Sequence, residues 1–261
     1  MEISFVNDEY SNQLEDALAF AHKNNLKYIE LRNINGKNIV DLTMNEALDY
    51  SNQIAESGIL VSSLITPFLY WKESSADLHI MGQHIDSEEE YFTKLMDLAD
   101  IFGAQHINIY SYLQDNDCDI DALGQKLDKF SQMALERGIV LLLNIDKSCN
   151  INNIHKMHQL FENYNFSNIY PLLNTGKIIA DQDDYDPQEL QDIINTCHYF
   201  HISDYDDELK RYVVFGEGCV DFDSLLESKK TDNHAFISLN PATNHREDLK
   251  MSLNQLQDWL D

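Results

Sequence analysis

Eight short apolar runs, rich in β-branched and aromatic residues, recur along the chain, and an amphipathic, helix-compatible stretch separates each from the next. That alternation marks βα units around a buried parallel sheet: strands covered on both faces are apolar throughout, whereas the connecting helices are apolar on one side only. The runs fall near residues 2–6, 28–32, 59–65, 105–110, 139–144, 168–174, 198–203 and 235–240. Eight such units predict an α/β chain folded as one (β/α)8 TIM barrel, a single domain over residues 1–261. A length of 261 residues with 43% hydrophobic content suffices for one large core.

Helix punctuation fits the same parsing. Thr43 with Glu46, Asp86 with Glu89, and Asn244 with Glu247 have the spacing of an N-cap and its N3 partner. Asp186-Pro187-Gln188-Glu189 adds proline at the first helical position, where its missing N–H costs nothing. Gly58, Gly103 and Gly138 each stand just before a predicted strand, where a helix ends best on a left-handed residue. The longest irregular stretch is 66–85, after the third strand, and it makes Tyr70, Trp71, His79 and His84 candidate lid residues. The plainer alternative is an aromatic loop packed on its own barrel.

Lys and Arg number 18 against 45 Asp and Glu, a net charge of -27. Such a field repels phosphate backbones and anionic lipid headgroups, so neither nucleic acid nor a membrane is expected as a partner. The four cysteines, Cys118, Cys149, Cys197 and Cys219, form no CxxC pair and read as free thiols. The segment MEISFVNDEY lacks a basic start followed by a long apolar run, and a cytoplasmic location is expected. These features leave the oligomeric state open.

In a (β/α)8 barrel the chemistry sits where strands end. The candidates there are Glu30 and Arg32, Thr66, Ser111, Asn144 and Asp146, Asn174, His201 and Asp204, and Asn240. Alternation along a strand puts Asn144 and Asp146 on one face, whereas His198 and His201 point apart.

Several segments carry a resemblance. IELRNINGKNIVDLT (29–43), VSSLITPF (61–68), GAQHINIYS (103–111) and FGEGCVDF (215–222) are similar to segments of the sugar phosphate isomerase/epimerase group of xylose isomerase-like TIM barrels, which also holds the AP endonuclease relatives. The similarity runs over nearly the whole chain. Members of that group hold a divalent cation, commonly manganese, with Glu, Asp, His and Glu from strands five to eight. Motif by motif, these positions fall on Asn144, Asn174, His201 and Asn240. The family's ENE reads NID here, its DPAN reads NTGK, its HIKD reads HISD and its EPH reads NPA. The family's strand-four Arg is Asn108, the Lys of HIKD is Ser203, and the His of EPH is Ala242.

A hard dication wants ionised oxygen ligands, and an amide offers only a dipole. A unit-charge pair at about 4 Å is worth about 4 kcal/mol at an effective dielectric near 20, and three such attractions are replaced here. Asparagine can hydrogen-bond an oxyanion but takes no proton at neutral pH. The expectation is therefore a site with no metal and no cofactor, built for a sugar, polyol or related hydroxylated small molecule. His201 with Asp204, and Asp146 or Glu30, would do any proton transfer. Asn144, Asn174, Asn240, Arg32, Trp71 and Ser111 would bind the ligand. The competing reading is a catalytically inactive relative that acts as a small-molecule sensor or interaction protein. Nuclease chemistry is disfavoured, since it needs a His- and carboxylate-rich metal cluster and a basic groove.

Other polar groups read more plainly. His155 and His158, three apart on a helix, are surface or packing residues ahead of a metal pair. Asp181, Asp183, Asp184 and Asp186 form a solvated loop with a helix cap ahead of a calcium site. For Asp204 the plain reading is support of its neighbour or of a loop backbone.

Overall fold

Each of the eight apolar runs forms a strand, because each is long enough to span a sheet and is followed by a polar turn or cap. The computed structural model describes residues 1–73, 78–114, 119–181, 185–243 and 245–260. The strands are β1 (Glu2–Phe5), β2 (Tyr28–Leu31), β3 (Leu60–Ile65), β4 (His106–Ile109), β5 (Val140–Asn144), β6 (Ile169–Asn174), β7 (Tyr199–Ile202) and β8 (Phe236–Leu239). All neighbours are parallel, in the order β1-β8-β7-β6-β5-β4-β3-β2. A parallel bridge from Val6 to Glu30 brings the first and second strands together at the remaining seam.

The outer helices are α1 (Leu14–Lys23), α2 (Met44–Ser57), α3 (Glu88–Phe102), α4 (Ile120–Leu135), α5 (Ile154–Asn163), α6 (Pro187–Thr196), α7 (Phe222–Leu226) and α8 (Arg246–Leu260). Thr43 and Glu46 form the expected capping box of α2. Asp186 caps α6 with Pro187 at its first turn. Gly58 and Gly103 end α2 and α3 in the left-handed conformation, and Gly138 has φ +68. The start of α3 departs from expectation by one residue. Ser87, not Asp86, is the cap, and its hydroxyl accepts from the Glu90 N–H, since a serine reaches the free N–H as well as an aspartate does. Asn244 and Cys118 lie outside the described residues.

Side chains fill the barrel below its mouth. The Tyr199 hydroxyl meets Ser62 Oγ at 2.8 Å, and Ser62 Oγ meets Ser4 Oγ at 2.8 Å. Phe236 stacks on Tyr199 at 5.4 Å, and His106 donates from Nδ1 to the Ser62 carbonyl at 2.8 Å. Burial with each of these polar tips partnered makes the plug rigid and keeps the Tyr199 hydroxyl neutral, its pKa raised well above the ordinary value.

The stretch after β3 packs more than it covers. Phe68 and Leu69 are fully buried, and the Phe68 ring contacts Trp71, Tyr91, Phe92 and Phe130. Its backbone zips to the segment after β4 through Tyr110 N–H to Phe68 O, Tyr112 N–H to Leu69 O and Leu113 N–H to Trp71 O. Further on, Leu78–Ile80 and Gln83–Ile85 form a small hairpin, on which the His79 and His84 rings face one another at 5.2 Å. Residues 74–77 of this stretch are outside the described set.

Candidate functional site

Because side chains alternate along a strand, the last inward residues of β5, β6 and β7, and the residue just after β8, converge at the C-terminal mouth. These are Asn144, Asn174, His201 and Asn240, and all four line one cavity of about 180 Å³. Asn174 and His201 are register partners in adjacent strands. Arg32, Asp146, Tyr110, Lys177 and Asp181 line the same cavity, with Ile65, Leu172 and Ile178 among its apolar walls.

Glu30 lies beneath this floor and is fully buried. Its Oε2 accepts from Ser238 Oγ at 2.6 Å and sits 2.9 Å from His201 Nε2, while Oε1 accepts from Asn108 Nδ2 at 3.0 Å. Burial opposes the charge, but His201, Ser238 and Asn108 together hold the Glu30 carboxyl below its ordinary pKa of 4.5. An ionised carboxylate only accepts, so His201 carries its proton on Nε2. The other ring nitrogen, Nδ1, lies 3.5 Å from Asn240 Nδ2. The contact with Glu30 fixes the orientation of the imidazole at the cavity floor.

The other two amides are partly committed. Asn144 donates from Nδ2 to the Ile109 carbonyl at 3.1 Å. Asn174 Oδ1 accepts from the Lys177 N–H at 3.0 Å and from Ser203 Oγ at 2.5 Å, capping the short helix Thr175–Ala180. Opposite, Arg32 Nε lies 3.0 Å from both Asp8 oxygens and Nη2 lies 2.7 Å from Glu9. Burial works against the guanidinium charge, and these two carboxylates more than restore it, raising the Arg32 pKa.

Lys177 and Tyr110 line the cavity without having been among the candidates at the strand ends. Lys177 Nζ donates to Asp146 Oδ2 at 2.7 Å and to the Ile145 carbonyl at 3.1 Å. Partial burial of Asp146 is outweighed by Lys177 and the Ser148 N–H, and its pKa is lowered. Lys177 stands one helical turn past the Asn174 cap, a spacing that could have flagged it. Tyr110 is two residues beyond the inward Asn108, so strand alternation alone points it into the mouth.

Four expected site residues are placed elsewhere. Asp204 is fully buried, and its carboxylate accepts backbone N–H bonds from Tyr205, Gly216, Gly218 and Val220 at 2.8–3.1 Å. It organises the loop after β7, in line with the plainer expectation. Trp71 packs on Phe68 and Tyr91 and donates from Nε1 to Glu88 at 3.0 Å. Ser111 is buried and accepts the Ile151 N–H at 2.8 Å. Neither lines the cavity. Thr66 is likewise turned into the fold, donating to the Asn108 carbonyl at 2.8 Å.

The remaining candidates are peripheral. His198 packs edge-on against Tyr170 at 4.7 Å, away from His201. His155 pairs with Glu189 at 2.8 Å and His158 with Asp192 at 3.3 Å, bridging α5 to α6. Asp181 reaches the cavity rim near Lys147, at 3.7 Å, whereas Asp183 and Asp184 lie outside the described residues. Among the described residues, no three His, Cys, Asp or Glu side chains group as a metal centre would need. No helix among them is long and apolar enough to cross a membrane.

No curated protein matches the chain. Among solved structures, it is similar to the IOLI protein with a binding zinc atom, at 15% identity and a TM-score of 0.76, covering 100% of this chain and 98% of that one. It is also similar to the probable 3-DHS dehydratase AsbF from Bacillus anthracis, at 17% identity and a TM-score of 0.77, covering 98% and 99%. A D-allulose 3-epimerase from Methylomonas sp. matches at 16% identity and a TM-score of 0.73, covering 99% and 97%. At such identities the likeness is one of fold. The family described as xylose isomerase-like TIM barrel matches residues 18–258, nearly the whole chain, and the protein belongs to that family.

Proposed function

We propose that this protein binds a small polyhydroxylated molecule, of sugar or polyol type, in the barrel mouth, and does so without a divalent cation. The observation that carries the reading is the Glu30–His201 pair, which fixes an imidazole at the floor of a cavity lined by three amides. Amides suit hydroxyl groups because each both donates and accepts. The cavity, about 180 Å³, is smaller than the roughly 300–1,000 Å³ clefts of larger ligands, and Tyr110 and Ile65 offer it an apolar wall. The epimerase of similar fold makes a sugar the first class to test.

The donor set does not suit the manganese-type centre of the family. Of the four strand-end side chains, three are amides, and Asn174 Oδ1 already accepts two hydrogen bonds. The nearby carboxylate, Asp146, holds Lys177 instead. Proton transfer at a carbon beside a carbonyl then falls to His201 as base, positioned by Glu30, with Lys177 and the amides placing donors at the same cavity. Calorimetric titration with pentoses, hexoses and their polyols tests this, run once with a chelator and once with manganese. Binding that survives chelation and is lost in His201→Ala supports the reading, and binding that requires the metal overturns it.

A second reading, ligand binding without turnover, is favoured by one feature. Of the two carboxylates that line the cavity, Asp146 is tied to Lys177 and Asp181 lies 3.7 Å from Lys147. That reading expects thermal stabilisation by ligand with no isomerised product. Product formation abolished by His201→Ala would remove it.

A further inference from the structure

We infer that the mouth of this barrel selects an uncharged ligand and excludes the phosphate ester, the carboxylic acid and the amine of the same carbon skeleton. The inference rests on the ligand-binding reading above and narrows its substrate class. In (β/α)8 barrels, anions are commonly held by backbone N–H groups of the loops after strands seven and eight and at helix N-termini. Here the chain's own side chains take up those donors. After β7, Gly216 and Gly218 both donate to Asp204 Oδ2 at 2.9 Å, and Val220 donates to Oδ1 at 3.1 Å. The fit is close enough that a Cβ on Gly218 would overlap the Asp204 carboxylate. This loop lies outside the lining of the mouth cavity, and its N–H groups are turned onto an aspartate.

The other N–H positions are filled in the same manner. After β8, the Ala242 N–H donates to Glu9 Oε2 at 3.2 Å. After β6, the Gly176 N–H goes to Ser203 Oγ at 3.1 Å and the Lys177 N–H to Asn174 Oδ1 at 3.0 Å. Of these N–H groups only that of Lys177 belongs to a residue lining the cavity, and an anion there would have to displace the Asn174 amide.

The side-chain charges lining the cavity are also answered within the protein. Arg32 faces two carboxylates, Asp8 and Glu9, at 3.0 and 2.7 Å. Lys177 is held by Asp146 at 2.7 Å, and Asp181 lies 3.7 Å from Lys147. A phosphate or carboxylate therefore meets no unmatched cation, and an ammonium meets no unmatched carboxylate, among the described residues of the lining. What remains open to a ligand, besides the one Lys177 N–H that Asp146 and Ile145 leave, is dipolar: the Oδ1 atoms of Asn144 and Asn240 and the hydroxyl of Tyr110. The cost of taking a charge out of water with no counter-charge to meet it, more than attraction of the right group, sets such a preference.

The test is a matched panel titrated by calorimetry on the full chain: pentoses, hexoses and polyols, each beside its phosphate ester, its aldonic acid and its 2-amino analogue. Neutral members are expected to bind at least about tenfold more tightly than their charged counterparts. In Glu9→Gln, which removes one of the two carboxylates on Arg32, the ratio of acid or phosphate affinity to neutral affinity is expected to rise at least about tenfold. A phosphate, acid or amine that binds the native chain as tightly as its neutral parent overturns the inference while leaving the binding reading intact. An unchanged ratio in Glu9→Gln removes its electrostatic basis. If no member of the panel binds, the binding reading itself fails, and the inference falls with it.

Discussion

The rim after β3 and β4 and the rim after β5 to β8 occupy equivalent places in the topology, yet they have opposite characters. On the first side, side chains are spent on one another. The Glu88 carboxylate accepts from Trp71 Nε1 at 3.0 Å and from the Tyr112 hydroxyl at 2.7 Å, and Leu69 and Tyr112 are held at φ +62 and +60 so that the two loops can zip together. On the second side, Asn144, His201 and Asn240 keep part of their hydrogen-bonding capacity toward an open cavity. The difference lies in the residues that each strand leads into. Phe68, Leu69 and Tyr112 turn a loop into core, because each removes a large apolar surface from water, whereas Asn, Lys and Asp leave a mouth.

The contrast breaks most visibly at Phe68. Replacing this fully buried ring by alanine leaves Trp71, Tyr91, Phe92 and Phe130 around a void, and about 3–5 kcal/mol of stability should be lost in urea unfolding. Ligand affinity per folded molecule should hold. A loss below about 1 kcal/mol would mean that this rim is not core.

Beneath the mouth, Glu30→Gln sharpens the comparison through pH. Burial opposes the Glu30 charge, yet its partners keep its pKa below 4.5, so the ionised form is the better bound in the folded state. Its contribution is therefore complete above that ordinary value and is lost as pH falls through the folded value. The native protein should lose melting temperature steeply in that acid range, and Glu30→Gln should show a flatter acid limb and about 2 kcal/mol less stability at neutral pH. Identical acid limbs in the two proteins would contradict an ionised Glu30.

Legibility in the sequence divides along the same line. The strands, the caps of α2 and α6, and the places of Asn144, Asn174, His201 and Asn240 at strand ends can be read because strand side chains alternate with a fixed period, whereas the convergence of the three amides on one cavity is visible only in the fold. That period also reaches Glu30, although its role as the partner of His201 depends on a contact between residues 171 positions apart. Trp71, Ser111 and Asp204 are harder, since loops have no period and the direction of each side chain is fixed by distant partners such as Glu88, Ile151 and the 216–220 backbone. Lys177 carries one signal, its spacing of a turn past the Asn174 cap, but a lysine at the third position of a short helix also reads as a surface residue. It reaches the cavity only because Asn174 caps that helix beside Asp146.

Two smaller changes set the rims against each other directly. Tyr112→Phe removes one hydroxyl from the Glu88 carboxylate inside the packed rim, where the lost bond should cost about 1.5 kcal/mol and leave ligand binding unaltered. Lys177→Met removes an ion pair at the open rim, where Lys177 is 28% exposed and Asp146 21%, so solvent already screens most of its worth. Less than about 1 kcal/mol should be lost there. The ligand should register the change instead, with several-fold weaker binding by calorimetry, since the ammonium is among the few donors reaching the cavity from outside the strands. Equal stability losses in the two variants, or a ligand indifferent to Lys177, would mean that both rims serve packing alone and that the mouth lies elsewhere.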